Sequence, residues 1–587
     1  MAACRSFEAR VTSQLVSRRD VDFLLHAWLK AGALADRETV DALLDLSEKL
    51  AADHFLTHFK RADSEEPRLE DGEVRLCPAI GEALAQYAEM GLFAAGFPEA
   101  QGGLGLPHLV CAASFAFFAA ANPATAAYPM LTIANARLIA KFGTAAQFEA
   151  FARPEIEGRW LGTMCLSEPH AGSSLADIAT RATPDGSDAL GGRYRLTGNK
   201  MWISAGDHDL SENIVHLVLA KVPGADGRLP EGTPGISLFI VPKILPDGSR
   251  NDVSVAGLNH KMGQRGTANC LLNFGERDGA TGWIVGEPGD GLRQMFQMMD
   301  EARIAVGLCA AAIGYRGYLL SADYARERHQ GRPAGRRAGA PVAIIEHPDV
   351  RRMLLQQKCY VEGALALCLY CARLVDTAKT SAEDAALLAL LTPVAKAWPS
   401  EFGLAANDLA IQIHGGYGYT RDFDVEQLWR DNRLNPIHEG TTGIQAIDLL
   451  GRKILRDGGA MPVLERLIAQ TIATAHAAPP LERHAQALSA AWQSVTGTVE
   501  ALRSCEAARA IDNATPFLGA FGHVVVAWLW LDQAVTAASL ERQDEFTEGK
   551  LRACHYFFER ELPRIDPLLV SVACLSDIAS NAPASIF

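Results

Sequence analysis

The 587-residue chain has no excess of positive charge: 55 lysines and arginines stand against 69 aspartates and glutamates, a net charge of −14. A protein built chiefly to coat phosphate backbones needs the opposite balance, so that task is disfavoured, whereas local basic pockets for small anions remain open. Nor is there a continuous apolar run of about 20 residues, the length a membrane-spanning helix requires. The nearest approach, residues 517–531, is too short, is interrupted by His523, and reads as a core helix. The 12 cysteines form no dense framework, and Cys368 and Cys371 have no second Cys-x-x-Cys to complete a zinc site. They are expected as buried thiols in a reducing compartment. The amino terminus lacks the apolar core of a signal peptide, and Glu8 and Asp20 among its arginines weigh against a transit peptide, which leaves the cytoplasm as the expected location.

What is present is 49% hydrophobic residues against 21% charged ones, enough for a sizeable core and for several domains. Residues 1–160 are rich in alanine and leucine at helical spacing, as in Leu84, Tyr87, Ala88 and Leu92, ahead of a glycine-rich turn from Phe97 to Gly105. Between 161 and 285 the texture changes to short β-rich runs, Ile214 to Ala220 and Ile236 to Pro242, separated by Pro-Gly, Asp-Gly and Gly-Gly turns. Helical periodicity returns through 292–320, 350–377 and 385–413, with a loop dense in Gly, Pro and Arg at 331–341. After Gly451 a further alanine-rich helical stretch is long enough for a bundle of its own. The fold class is therefore α+β: an N-terminal helical extension (1–45), an N-terminal helical domain (46–160), a middle antiparallel β domain (161–285), a C-terminal helical domain (286–450) and an additional helical domain (451–587).

Four segments are suited to chemistry. From Leu166 to Ser174, Gly172 with Ser173 and Ser174 would expose donors to a pyrophosphate, although Ser/Gly turns are usually only turns. In Asn199 to Gly206, Trp202 and Ser204 stand two apart on a strand and so share a face, able to stack on an aromatic cofactor and bond its edge; an isolated strand tryptophan is more often core. The glycines of Ile411 to Tyr419 let a backbone approach a bulky ligand. In Asn435 to Gly443, Glu439 before Gly-Thr-Thr is placed to act as a base, and the blander reading is a helix cap made by Thr441 or Thr442.

Taken together and in order, these segments resemble the acyl-CoA dehydrogenase flavoprotein family over about residues 80–455. The pieces that agree are the Phe-Pro-Glu-x-x-Gly-Gly-x-Gly turn near Gly103, Leu-Ser-Glu-Pro at 166–169, Trp-Ile-Ser at 202–204, and the run from Gly257 to Gly266. Asp300-x-x-Arg303, Gln412-x-x-Gly-Gly-x-Gly418 and Glu439-Gly-Thr complete the set. The resemblance implies N-terminal helices, a middle β domain and a C-terminal four-helix bundle, with FAD between β domain and bundle. The added helical pieces before 45 and after 451 are similar to the large subfamily that includes very-long-chain, broad-chain and 3-(methylthio)propanoyl-CoA dehydrogenases.

The reaction so implied takes a proton from Cα and a hydride from Cβ of an acyl-CoA thioester, leaving the trans-2-enoyl thioester. By resemblance Glu439 is the base and its amide a donor to the thioester carbonyl. Leu166 and Ser167 would meet the flavin ring, Gly172 and Ser173 the pyrophosphate, and Trp202 and Ser204 the ring face and its edge. Arg328, Gln412, Gly415 and Gly416 would reach the FAD of a neighbouring subunit, and Thr441 the cofactor near the base. Asp300, Arg303 and Gly440 are the implied substrate-side residues. An ordinary surface ion pair is the alternative for Arg328, and an i,i+3 pair for Asp300 with Arg303.

His414 and His438 lack a ligand set and are read as packing residues, so no metal is expected. The family's pattern is departed from at Ser174, Asp177 and Gln427, where aspartate, a small residue and a basic residue are usual. The expected partners are acyl-CoA, an electron-transferring flavoprotein as acceptor and a second copy of the chain in a homodimer, with no nucleic acid. Two other functions compete: an acyl-CoA oxidase, which would use nearly the same residues, and a non-catalytic nucleic-acid-binding relative, which would need a basic C-terminal face that the sequence lacks.

Overall fold

Where the sequence alternates or runs apolar over short stretches, strands form, and where it repeats every three to four residues, helices form. The computed structural model describes residues 15–587 except Ala334 and Arg337, and leaves out the side chains of Gln297, Met298, Asp300 and Pro479. The expectation for Asp300 thus falls outside the described side chains. The chain divides into two compact units: Ala42–Pro107 with Phe117–Ala302, and the rest of the described chain.

In the first unit, helix Pro123–Phe142 starts where Asn122 caps the backbone N–H of Thr125 and a proline occupies the first turn. It packs on the edge of the β domain, where Asn135 Nδ2 donates to Thr163 O and Val215 O at 3.0 and 2.8 Å. Gly103 closes the glycine-rich turn because nothing larger fits: a Cβ there would lie 2.0 Å from Phe97 O. The described residues include ten strands: β1 Arg68–Glu70, β2 Glu73–Arg75, β3 Trp160–Cys165, β4 Arg181–Asp188, β5 Gly191–Ser204, β6 Asn213–Lys221, β7 Ile236–Pro242, β8 Val253–Leu258, β9 Asn269–Phe274 and β10 Ala280–Ile284. The last eight form one sheet in the order β10-β7-β6-β4-β5-β9-β8, with β3 beside β6 and β10 also paired to β5. Antiparallel pairings dominate, and β3 runs parallel to β6 from Trp160↔Asn213 to Cys165↔Val218. Every residue of β6 and β7 is buried, which is why those two runs are mostly apolar, interrupted by His216 and Ser237, rather than alternating.

The second unit is helical. Its longest elements are Gly291–Glu327 from Arg303 onward, Pro348–Thr377 and Ala382–His414, followed after residue 460 by Met461–His476, Glu482–Arg503, Ala514–Ala538 and Glu545–Tyr556. Small residues bring the first and third of these into close contact: a Cβ on Gly307 would lie 1.8 Å from Ala395 O, and one on Gly403 2.5 Å from Ala310 O. Helices Gly291–Glu327 and Ala514–Ala538 are long and apolar enough to cross a membrane by length and composition, but 72% and 83% of their most apolar stretches are buried inside the protein. A buried charge cluster joins Asp20 to Lys550, and Lys550 to Glu362 at 2.9 Å, with the Tyr315 hydroxyl donating to Asp20 at 3.1 Å. Most of the described cysteines are buried.

Candidate active site

The candidate residues fall into two sets, one in each unit. In the first unit, β3 ends at Cys165 and delivers the loop that holds Leu166 and Ser167, both half-buried, while Gly172, Ser173, Ser174 and Asp177 are exposed. The loop is anchored from beneath. Glu168 is buried and accepts from Ala179 N at 2.7 Å, Thr180 N at 3.0 Å and Thr180 Oγ1 at 2.6 Å. Lys200 on β5, also buried, donates to Leu166 O and to Glu168 Oε1, each at 2.9 Å. Burial pushes the Glu168 carboxyl up, but Lys200 and the three donors outweigh it and hold the group below the usual carboxylate range.

Immediately after Lys200 the pairing of β5 with β9 shifts register, and Trp202 takes φ +63°, a conformation rare for a large side chain. It leaves the indole 58% exposed while Ile203 is buried and Ser204 half-buried, with Asn269 Nδ2 donating to the Ser204 hydroxyl at 3.3 Å. Strand alternation alone anticipates that Trp202 and Ser204 lie on the less buried side; the positive φ it does not. Strain of this kind persists where surrounding structure enforces it, and it collects at functional sites.

In the second unit, Glu439 also has positive φ, +52°, followed by Gly440 at +86°. The loop beneath is built from amides. Asn407 on helix Ala382–His414 donates to Ile313 O, Asn432 donates to Asn407 and to Ala310 O, Asn435 donates to Asn432, and His438 Nε2 bonds Asn435 Oδ1 at 3.1 Å. Gln445 Nε2 holds the carbonyls of Glu439 and Gly440 at 3.1 and 3.2 Å. Thr441 accepts from Ile444 N at 3.4 Å and so caps helix Thr442–Ile447, while Thr442 donates to Glu401 at 2.6 Å. The capping role raised for Thr441 is therefore present in the structure.

Among the described residues, neither the Glu439 carboxylate nor its backbone N–H makes a hydrogen bond. Burial raises its carboxyl above the ordinary range, and the charges of Arg303 and Lys396 pull it back. Arg303 is itself buried and bonded to Asp448 Oδ2 at 2.9 Å, the partner the described side chains supply. Gln427, where a basic residue is usual in the family, is buried.

At the end of helix Ala382–His414, Gln412, Gly415 and Gly416 are exposed, as are Tyr417 (51%) and Tyr419 (89%). Arg328 lies over the Tyr417 ring, 5.9 Å from its centroid, and has no ion-pair partner among the described residues. His414 stacks on Tyr324 at 4.3 Å and bonds Ala410 O.

Sequence models of four domains match nearly end to end: the acyl-CoA dehydrogenase N-terminal domain over 38–159, the middle domain over 163–276, the C-terminal domain over 289–455, and an acetyl-CoA dehydrogenase C-terminal-like domain over 465–582. The 3-methylmercaptopropionyl-CoA dehydrogenase of Ruegeria pomeroyi is 38% identical over 85% of this chain and 86% of its own. The chain belongs to the acyl-CoA dehydrogenase family.

A broad-specificity linear acyl-CoA dehydrogenase of Mycobacterium tuberculosis, FadE5, is 34% identical over 90% of this chain and 91% of its own. Among solved structures, the acyl-CoA dehydrogenase of Bacillus anthracis complexed with FAD shares the fold, with a TM-score of 0.76, 20% identity and coverage of 95% and 91%. The ACDH-11 protein of Caenorhabditis elegans in complex with C11-CoA has a TM-score of 0.80 at 20% identity, covering 94% of this chain and 91% of that one. The family is FAD-dependent, and the residues here fit that cofactor. Among the described residues, an exposed Trp202, glycines 172, 415 and 416 with nothing within 4 Å of where a Cβ would stand, and Arg328 without an ion-pair partner are groups of the kind that can meet a ring and phosphates.

Sequence reasoning missed four residues of this arrangement. Glu168 and Lys200 lay inside the quoted motifs, but their pairing across the loop did not show. Lys396 had a local signal, a single cation in the apolar run from Leu387 to Trp398. Asn407 had none.

Proposed function

We propose that this acyl-CoA dehydrogenase oxidises an acyl-CoA thioester at Cα–Cβ with Glu439 as the base, and that 3-(methylthio)propanoyl-CoA or a medium or long linear acyl-CoA is its substrate. The observation that supports this best is the Glu439 carboxylate: unbonded, raised by burial, and presented on a strained loop that an amide chain braces. A desolvated carboxylate is a stronger base than one in water, and the α-proton of a thioester demands one.

Glu439 takes the Cα proton. Its unspent backbone N–H is suited to donate to the thioester oxygen as negative charge develops there. FAD, when bound, supplies the two-electron acceptor for the Cβ hydride. Trp202 and Ser204, with Leu166 and Ser167, would hold its ring, Gly172 and Ser173 its pyrophosphate, and Thr441 its edge near the base. The Lys200–Glu168 pair keeps the Leu166–Ser167 backbone in place. Arg328, Gln412, Gly415 and Gly416 are suited to reach the cofactor of a second copy, which makes a homodimer the expected assembly. Asp300, Arg303 and Gly440 complete the substrate side, with Arg303 held by Asp448 acting on the charge of Glu439. The five-part division at 45, 160, 285 and 450, a cytoplasmic location and an electron-transferring flavoprotein as acceptor belong to the same reading.

The test is anaerobic mixing of the yellow, FAD-loaded protein with a panel of acyl-CoA thioesters, 3-(methylthio)propanoyl-CoA among them. Flavin bleaching with one or more, and reoxidation by an electron-transferring flavoprotein or dye, is expected. No bleaching by any member of the panel overturns the proposal, and stoichiometric peroxide in air makes the protein an oxidase instead.

A further inference from the structure

Resting on the reading of Glu439 as base, we propose that Lys396 is a positioning residue whose ammonium sets the proton affinity of Glu439. The close contact of Gly307 with Ala395 O fixes Lys396, the next residue, at the crossing of helices Gly291–Glu327 and Ala382–His414, and Arg303 lies one helical turn before Gly307. The Lys396 side chain is fully buried, at 0% exposure, and its Nζ has no hydrogen-bond partner. No carboxylate stands within ion-pair distance of it among the described residues. An ammonium so placed is costly to the fold unless a nearby field favours it. The carboxylates that act on it are Glu439 and Glu401, and Arg303 opposes them; burial dominates and pushes the group down to about 8.

The groups facing Glu439 can be named by element. Thr442, three residues after Glu439, donates at 2.6 Å to Glu401, five residues after Lys396, so the loop is bonded to the helix Ala382–His414 that carries Lys396; Arg303 comes from helix Gly291–Glu327. Arg303 is compensated by Asp448 of the Asp448–Asp457 helical segment, which Arg452 also contacts at 2.6 Å. His438, beside Glu439 in the loop, is bonded to Asn435. Among the described residues, Lys396 is thus a cation near the base for which no ion pair is present. Its effect opposes that of burial: desolvation raises the Glu439 carboxyl, and the ammonium pulls it back toward the charged form that can accept a proton.

The experiment reads the Glu439 carboxyl directly. In the FAD-loaded protein without substrate, the protonated-carboxyl infrared band that Glu439→Gln deletes is titrated in wild type, Lys396→Met and Lys396→Arg. An opposite charge lowers a carboxyl pKa, so its removal raises it: the Lys396→Met midpoint is expected to move up by on the order of one pH unit. The acid limb of anaerobic flavin bleaching should move with it, which is roughly a tenfold loss of rate below the limb. Lys396→Arg should stay within a few tenths of a unit of wild type. An unmoved midpoint in Lys396→Met, or an equal rise in Lys396→Arg, overturns the proposal. If Lys396→Met does not fold, Lys396→Gln takes its place; loss of folding in both neutral variants with Lys396→Arg intact assigns the charge to the fold and also overturns it. Failure of every acyl-CoA to bleach the wild-type flavin would sink the dehydrogenase reading while leaving the carboxyl titration to stand or fall alone.

Discussion

Replacing Lys200 by methionine should loosen the flavin loop, and the size of the effect follows from the burial of the pair. The Lys200 and Glu168 side chains are 0% and 3% exposed and meet at 2.9 Å. Such a pair contributes little net stability, because desolvating both charges offsets their attraction, yet removing one partner strands the other and costs about 3–5 kcal/mol. Glu168 keeps the donors from Ala179 and Thr180, which favours the lower end, about 3 kcal/mol. Leu166 O loses its lysine donor as well, about 1 kcal/mol more. At roughly 2–4 °C per kcal/mol, the melting transition of the flavin-loaded protein should fall by about 8–16 °C, with flavin lost on gel filtration. The sign of the pH dependence follows from the depressed carboxyl. In the wild type the Glu168 contribution is fully present above the unfolded carboxylate pKa and is lost as pH falls through the lower folded value. Without Lys200 that loss should begin at higher pH. Lys200→Met combined with Glu168→Gln removes the stranded charge and should recover more than half of the stability. Thermal unfolding with flavin release, followed by fluorescence across pH 4–8, reads all of this. A Lys200→Met protein within about 0.5 kcal/mol of wild type and with full flavin content would refute the reasoning.

Glu439→Gln should keep FAD and bind acyl-CoA but lose roughly 10²–10⁴-fold in the rate of anaerobic bleaching, since the amide keeps the shape and cannot accept the proton; near-normal bleaching would move the base elsewhere. Arg328→Ala should weaken FAD retention roughly ten- to a hundredfold in dialysis through loss of a charge-assisted contact, and light scattering of a fully active 63.1 kDa monomer would defeat both the shared site and the dimer. Lys396→Met should stabilise the protein at pH 7 even as it impairs the base: with the ammonium pushed from 10.5 down to about 8 on folding, the native state binds fewer protons between those values, so wild-type stability rises with pH across that window. The difference is on the order of 3 kcal/mol and should vanish above pH 10.5 in denaturant titrations; equal stability of the two proteins at pH 7 would contradict it.

The succession of helical, β and helical segments was legible along the chain because backbone geometry imposes periods of 3.6 and 2 on whichever residues face a core, and those periods are local. So were the mostly apolar runs of β6 and β7, and the motifs around Leu166, Trp202, Gln412 and Glu439, whose glycines and hydroxyls stand close together in sequence. What only the tertiary structure decided lies across long separations. Lys200 meets the loop 32 residues before it, Arg303 finds Asp448 145 residues away, and Trp28 Nε1 bonds Asp532 across 504. Asn407 reads as one polar residue in an apolar helix until Asn432 and Asn435 meet it and brace the Glu439 loop. The positive φ of Trp202 and Glu439 is likewise not legible along the chain, because neither residue type prefers that conformation. Spacing in a sequence records which face a residue takes on its own element. Which charge ends up buried beside which, and with what proton affinity, depends on the dielectric and the partners that packing supplies.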